Sequence, residues 1–339
     1  MTEVGARESR LAAARQALRA YAISPDTVSL QPLNQTNNWN YRVDVCSSLH
    51  EPRSLVLRIH RRSDISVQGL RSELECLVAI RAATDLQVPS PVRTQDGALF
   101  GAIPVGDDGR PHYHVLFDWL DARFVRTCDQ TGAAAVQVGA FIGSLHQFSR
   151  SFTPGSGFRR RPLDAEHLVD WTAVDVGQHT YDIFTDEHRR LFEAVHHQTR
   201  RSFSMLDARS TSFGLIHADL IWKNYFFHAR GVGAVDFEDC GWGYFLYDLA
   251  PTLVGYYDEP HYAALRAGLL AGYRHVCPLS SDDEGLLDTL MAARHVVSCC
   301  CLARRLADPA WRARAADLRP IPGAPRCGGF RGKPPDVPS

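Results

Sequence analysis

Lysine is nearly missing from this chain. Of 37 basic residues only Lys223 and Lys333 are lysine, and none stands before position 223. Asparagine is almost as scarce, occurring only at Asn34, Asn37, Asn38, Asn40 and Asn224. An excess of either charge is also lacking: 37 basic residues face 38 acidic ones, for a formal net charge of −1. Chains built to hold nucleic acid or an anionic membrane surface carry a large basic surplus, so neither partner is expected. The nine cysteines are odd in number and form no C-x-x-C pair. That excludes a zinc ribbon or a compact disulfide framework and reads as reduced, mostly buried thiols. The first residues lack the apolar core of a signal peptide. The most apolar stretch, around 133–145, is rich in small residues, interrupted by Gln137 and too short to span a bilayer. The expectation is a soluble, cytoplasmic protein.

What is present is an ordinary globular composition, 45% hydrophobic and 22% charged over 339 residues, enough for about two domains. Helical spacing is expected at 7–21 and 66–83, and strands at 28–33, 39–45 and 54–59. The run 39–45 alternates, placing Trp39, Tyr41, Val43 and Val45 on one face. A hairpin of 92–94 and 98–103, turned by Asp96-Gly97, and a strand at 112–119 follow. Helical patterns then dominate at 131–148, 186–206, 260–276 and 281–306, interrupted by a strand-rich island at 213–237. A strand-rich half therefore precedes a helical half, with a seam near 116–122. Residues 319–339, with six prolines and four glycines, read as a disordered tail.

The island carries the chemistry. His217-Ala218-Asp219-Leu220-Ile221-Trp222-Lys223-Asn224 fits H-x-D-L-x-x-x-N, the catalytic loop of kinases, and Asp236-Phe237 follows where those enzymes carry D-F-G. Phosphoryl transfer asks a protein for positioning and for neutralisation of charge more than for covalent chemistry. The carboxylate of Asp219 can accept the proton of an attacking hydroxyl. Five residues on, the amide oxygen of Asn224 can reach a magnesium ion, and the strand ending at Val235 returns Asp236 to the same metal.

The string from Gly214 to Ala250 resembles the aminoglycoside phosphotransferase-like family, which includes aminoglycoside, choline and homoserine kinases and a bacterial stress-response kinase. The resemblance covers about residues 25–310 and is specific between 214 and 250. It implies an α+β, bilobal, protein-kinase-like fold: a small antiparallel-sheet N-lobe at 1–117 and a larger, mainly helical C-lobe at 118–318, with ATP bound between them. Carried over by position, Asp219 is the implied catalytic base, and Asn224 and Asp236 are the implied magnesium ligands. Asp248 matches a D-L-A aspartate whose implied role is structural. Ala218, Ile221, Trp222 and Lys223 depart from the usual H-G-D-L-H-P-G-N without touching the ligand positions.

The amino-terminal half carries weaker marks. No G-x-G-x-x-G precedes Ser54. In its place, 34–38 with Asn37 and Asn38 reads either as an ordinary polar hairpin turn or as a turn presenting backbone N–H groups to phosphate, which the resemblance favours. No lysine is available for the usual strand cation. Arg58 stands at that place, with Glu73, less favourably Glu75, as its helix partner; the pair reads either as an ATP clamp or as a surface salt bridge. His60, Arg61 and Arg62 read as solvated. The seam 115–120, with Phe117 and Trp119, matches by position the linker where kinases hydrogen-bond adenine through the backbone. His146 reads as a core or helix-end histidine.

Only twelve residues separate Asp236 from Asp248, with no A-P-E, which argues for a small-molecule acceptor rather than a protein. The stretch 164–187 holds seven acids and no Lys or Arg, and reads either as a solvated acidic face or as an attractor of cations. Glu238 and Asp239 are better placed to contact a substrate ammonium. The expected activity is ATP- and magnesium-dependent phosphorylation of a hydroxyl on a small amine-bearing molecule: an aminoglycoside, amino alcohol or hydroxy amino acid. The alternatives are a protein Ser/Thr kinase of the stress-response type and a catalytically silent nucleotide-binding pseudokinase. Oligomeric state stays open.

Overall fold

The computed structural model describes residues 3–33, 38–45, 53–60, 66–104, 111–168, 184–207 and 212–307. Asn37, Arg61, Arg62, the middle of the acidic stretch and the tail 319–339 lie outside the described residues. The chain divides into two compact units, neither continuous in sequence. The first comprises Met1–Phe124, Gln147–Arg161 and Asn224–Gly241; the second comprises Val125–His146, Pro162–Lys223 and Trp242–Ser339.

The first unit is built on an antiparallel sheet. Helix α1 (Glu3–Leu18) is followed by β1 (Val28–Pro32), β2 (Asn38–Val45), β3 (Arg53–His60), helix α2 (Val67–Ala83), β4 (Pro91–Val92), β5 (Gly101–Pro104) and β6 (Pro111–Asp118). The strand order is β1-β2-β3-β6-β4, with β5 also on β6. Alternation decides what each face does. Tyr41 and Val43 of β2 and Leu55, Leu57 and Ile59 of β3 are buried against Ala13, Ala14, Ala17 and Leu18 of α1. The other face is polar: the register sets Asn38 opposite His60 and Asn40 opposite Arg58. Ser66 caps α2 by accepting a hydrogen bond from the Gly69 N–H at 3.1 Å, which starts the helix that carries Glu73.

Two sequence expectations are corrected here. Residues 92–94 and 98–103 join only at the turn, where the Thr94 N–H donates to the Ala98 carbonyl at 2.9 Å, and form no two-stranded ladder. The Asp96-Gly97 turn forms, with Gly97 at φ 83°, but β4 and β5 both pair with β6. The eight-residue β6 is long enough to take the two short strands end to end along one edge. Likewise the expected helix 281–306 is broken at Gly285 and Leu286 into Ser281–Glu284 and Leu287–Ala307.

The second unit is helical. It holds most of α3 (Gly132–Ser151), the helices Asp186–Asp207, Phe245–Tyr256, Tyr262–Val276 and Leu287–Ala307, and a short sheet of strands 162–163, 241–244 and 213–216. The helix Phe245–Tyr256 was invisible as a pattern because residues 245–253 are all buried, which erases amphipathic periodicity. By composition, Ser281–Ala303 is long and apolar enough to cross a membrane. Yet Leu287, Leu290, Ala293, Val296 and Cys300 are buried at core-helix spacing.

The small residues of α3 have a packing purpose. A Cβ added at Gly139 would overlap the carbonyl oxygen of Leu269, and one at Gly272 would overlap that of Val136, so these helices touch backbone to backbone. Gly→Ala in a helix interior ordinarily stabilises by about 1 kcal/mol. Here Gly139→Ala is expected to do the reverse and cost about 1–3 kcal/mol through overpacking. A urea midpoint that rises instead of falling would refute the close contact.

Candidate active site

In the first unit, β3 and α2 place Arg58 and Glu73 in contact. Arg58 Nη2 donates to Glu73 Oε1 at 2.9 Å, and both side chains are buried. This is an interior ion pair, not a surface salt bridge. Burial opposes the guanidinium charge, but Glu73, Glu238 and Asp236 outweigh it and hold Arg58 firmly cationic. The Arg58 guanidinium also lies 5.2 Å from the Phe117 ring centre, and that of Arg42 lies 4.5 Å from Trp119. Both aromatics sit at the end of β6 or just beyond it.

His60 corrects another expectation. Only 1% exposed, it is not solvated. It points from the polar face of β3, and its Nδ1 lies 3.7 Å from Glu238 Oε1. Asn38 Nδ2 donates to the other carboxylate oxygen at 3.0 Å. Burial pushes against a charge on Glu238, yet His60, Arg58 and Asn38 hold its carboxyl down at about 2. Burial and neighbouring Arg58 lower the His60 imidazole below its usual range. Asp239 is exposed, 3.9 Å from Arg161.

Asn224 and Asp236 are brought together by a hairpin. Strand 225–228 pairs antiparallel with 231–234, setting Tyr225 opposite Ala234. The next rung joins the Val235 N–H to the Asn224 carbonyl at 2.8 Å, so Asn224 and Asp236 leave the same end of the ladder. Gly233 is required: a Cβ there would overlap the Gln87 carbonyl oxygen and the Phe226 ring. Asp236 adopts φ 65° and ψ 61°, a left-handed conformation unusual for a residue with a side chain. Desolvation of the carboxyl, helped by Glu238, Glu73 and Asp239 against the pull of Arg58, raises it to about 7.

That raised carboxyl tests the site for a metal. Glu238, Glu73 and Asp239 all oppose ionisation of Asp236, a penalty that a bound cation removes. A carboxylate and an amide oxygen are hard donors of the kind magnesium takes. Among the described residues no group of three or more His, Cys, Asp or Glu could hold an ion. Two protein donors nonetheless match magnesium, which keeps waters and substrate phosphates as its other ligands.

Arg160 has no counterpart in the sequence reading. Its guanidinium donates to four backbone carbonyls: Gly69 at 3.1 Å, Phe237 at 3.4 Å, Glu238 and Cys240. It thus ties the turn after Asp236 to the start of α2. A side chain that bonds only backbone leaves no local motif, so no sequence signal marks it.

The second unit presents the loop of Asp219. Asp248, fully buried, accepts from the backbone N–H of His217 at 3.0 Å and of Ala218 at 2.6 Å. It also accepts from His146 Nε2 at 3.1 Å, while His146 Nδ1 meets the Tyr273 hydroxyl at 3.0 Å. The Leu220 carbonyl accepts from Thr252 Oγ1 at 2.6 Å. Ala218 is held at φ 69°. These bonds aim Asp219, whose carboxylate pairs with Arg294, a residue on Leu287–Ala307 that the sequence reading also missed.

With this geometry in view, comparison with known proteins is informative. A family model described as "Phosphotransferase enzyme family" matches residues 30–285. The chain is 24% identical over 239 residues to an amicoumacin kinase of Bacillus subtilis (strain 168), covering 70% of this chain and 66% of that protein. It is 28% identical over 222 residues to a homoserine kinase of Methylobacterium radiotolerans, covering 62% and 61%. It spans about two thirds, or somewhat less, of the length of the curated relatives it matches. Among solved structures, a microcompartment-associated aminopropanol kinase superposes with a TM-score of 0.69 at 24% identity, covering 91% of this chain and 98% of that one. An amicoumacin kinase in complex with AMP-PNP, Ca2+ and Ami superposes with a TM-score of 0.70 at 20% identity, covering 93% of each. The fold is kinase-like, with an antiparallel sheet toward the N-terminus and a helix-rich C-terminal part.

Proposed function

The chain belongs to the phosphotransferase enzyme family, and from that premise we propose that it moves the γ-phosphoryl group of ATP to a hydroxyl of a small, amine-bearing molecule. The reading makes it a magnesium-dependent enzyme of the cytoplasm. The observation that carries it is the hairpin that sends Asn224 and Asp236, whose carboxyl is pushed up beside Glu238, Glu73 and Asp239, out of one end of a single ladder.

Each residue has a distinct task in this scheme. Asn224 and Asp236 hold the metal, which when bound neutralises charge on the phosphates. Arg58, kept cationic by Glu73, steadies phosphate oxygens; its planar fork offers two parallel donors where lysine offers a point charge. Asn38, at the start of β2, stands at the phosphate side of this scheme, and the backbone of the Phe117–Trp119 segment reads adenine. Asp219 orients the acceptor hydroxyl and takes its proton. Arg160 keeps the Asp236 turn against α2. Asp239 remains exposed and able to meet a substrate ammonium, whereas Glu238 is already engaged by Asn38 and His60.

The test joins binding to turnover. ATP with magnesium is expected to raise the melting temperature, since a ligand at a hundred times its dissociation constant stabilises by about 2.7 kcal/mol. ADP release is expected to rise with one class in a panel of aminoglycosides, choline, homoserine and related hydroxylated amines. No thermal shift at millimolar nucleotide, together with no acceptor-dependent ADP, would overturn the assignment.

A further inference from the structure

Asp236 is held at φ 65° and ψ 61°, and a residue with a side chain keeps that conformation only where its surroundings enforce it. Two restraints act on the residues that follow it. Arg160 holds the backbone, donating to the carbonyls of Phe237, Glu238 and Cys240 and to that of Gly69 on α2. The Glu238 side chain is held by the sheet instead. Asn38 Nδ2 donates to Glu238 Oε2 at 3.0 Å, and His60 Nδ1 stands 3.7 Å from Oε1.

Asn38 and His60 are register partners on β2 and β3, so their side chains leave one face of the sheet side by side. Both are interior groups, 8% and 1% exposed. His60 Nε2 has no hydrogen-bond partner, so among the described residues the polar contact of this ring is the one its Nδ1 makes toward Glu238. The strand behind the ring is fixed as well: the His60 carbonyl accepts from His112 Nδ1 at 2.8 Å, and His112 stacks on Trp39. A buried amide and a buried imidazole are costly to leave without a partner, and here both face one carboxylate.

We propose that Asn38 and His60 are positioning residues: by gripping Glu238 they brace the Asp236 turn against the sheet and keep Asp236 beside Asn224 for the metal. This deepens the phosphotransferase reading and rests on it. It gives Glu238 a task other than meeting a substrate ammonium. Because Asn38 opens β2 at the phosphate side, the brace couples the grip on the nucleotide to the grip on the metal.

Calorimetry of ATP binding to the full-length protein, once in EDTA and once with excess magnesium, gives two dissociation constants whose ratio measures the metal's contribution. Magnesium is expected to tighten wild-type binding by at least about tenfold, and Glu238→Ala to remove most of that gain, since an outer partner of a metal site typically contributes about 10- to 100-fold. Glu238 is partly exposed, so its variants should fold. Glu238→Asp keeps the charge but falls short by one methylene; Glu238→Gln keeps the length but drops the charge. The brace requires Glu238→Asp to lose the gain as Glu238→Ala does, and Glu238→Gln to recover most of it. His60→Leu should show the same loss, and combining it with Glu238→Ala should add nothing further. The reverse order of Glu238→Asp and Glu238→Gln would make charge the cause and overturn the proposal. Equal weakening with and without magnesium would mark a general structural role and overturn it too, as would additive losses in the double variant. If magnesium adds nothing in the wild type, the metal reading of Asn224 and Asp236 fails and this inference with it. A wild-type gain that every Glu238 variant keeps removes this inference alone.

Discussion

Asp219→Asn is expected to lower acceptor-dependent ADP release by about a hundred- to ten-thousand-fold, the range that a positioned general base supplies. Asparagine keeps the shape and polarity of the side chain but cannot take a proton from a hydroxyl. The loop itself should survive, because its backbone is held by Asp248 and Thr252 and not by Asp219. The thermal shift produced by nucleotide and magnesium should also persist, since Arg58, Asn224 and Asp236 are untouched. Loss of turnover with retained nucleotide binding is therefore the expected signature. Undiminished ADP release would remove Asp219 from the mechanism.

The largest stability effect is expected at Asp248. Asp248→Ala leaves two backbone N–H groups and the His146 ring donor without acceptors in the interior, and should cost about 3–5 kcal/mol. In a protein of this size that lowers the melting temperature by on the order of 10 °C. Activity should fall even where the variant is folded, because Ala218, held in a left-handed conformation, then loses the acceptor of its N–H. The charge also sets a pH dependence. Burial opposes ionisation of Asp248, but the His146 hydrogen bond, the nearby His217 and its backbone N–H prevail and hold its pKa below the usual carboxylate value. A depressed carboxyl stabilises the fold above the unfolded-state value of about 4 and loses that contribution as pH falls through the lower folded-state value. Melting temperatures of the wild type should thus decline below about pH 4, and the curve of Asp248→Ala should be flatter there. Parallel curves would show that Asp248 is not the group responsible.

What the sequence made legible was local. The alternation of Trp39, Tyr41, Val43 and Val45 announced a strand with one buried face, and that face does pack on α1. The spacing from Asp219 to Asn224 to Asp236 announced a loop followed by a strand that returns Asp236 beside Asn224, and a hairpin makes that return. The Arg58–Glu73 pair was anticipated from a strand followed by a helix, but its burial was not. His60 was misread because Arg61 and Arg62 beside it suggest solvent, whereas strand alternation turns it inward toward Glu238. Arg160 and Arg294 were missed for a different reason. Their partners are backbone carbonyls, or an aspartate far away in sequence, and neither arrangement leaves a periodic trace. The glycines of α3 looked like mere smallness until their backbone contacts with Tyr262–Val276 were in hand.

The discontinuity of the first unit has a consequence for how the chain is born. Its sheet is complete once Phe124 has been made, yet the hairpin and turn that bring Asp236 and Glu238 to it end only at Gly241. At ribosomal rates of about 5–20 residues per second, the interval is on the order of ten seconds. Throughout it Arg58 has Glu73 but not Glu238 or Asp236, and His60 lacks the Glu238 carboxylate. The nascent sheet must wait with its polar face unfinished, so a translational pause between these segments prolongs the period in which that face is open to the wrong company.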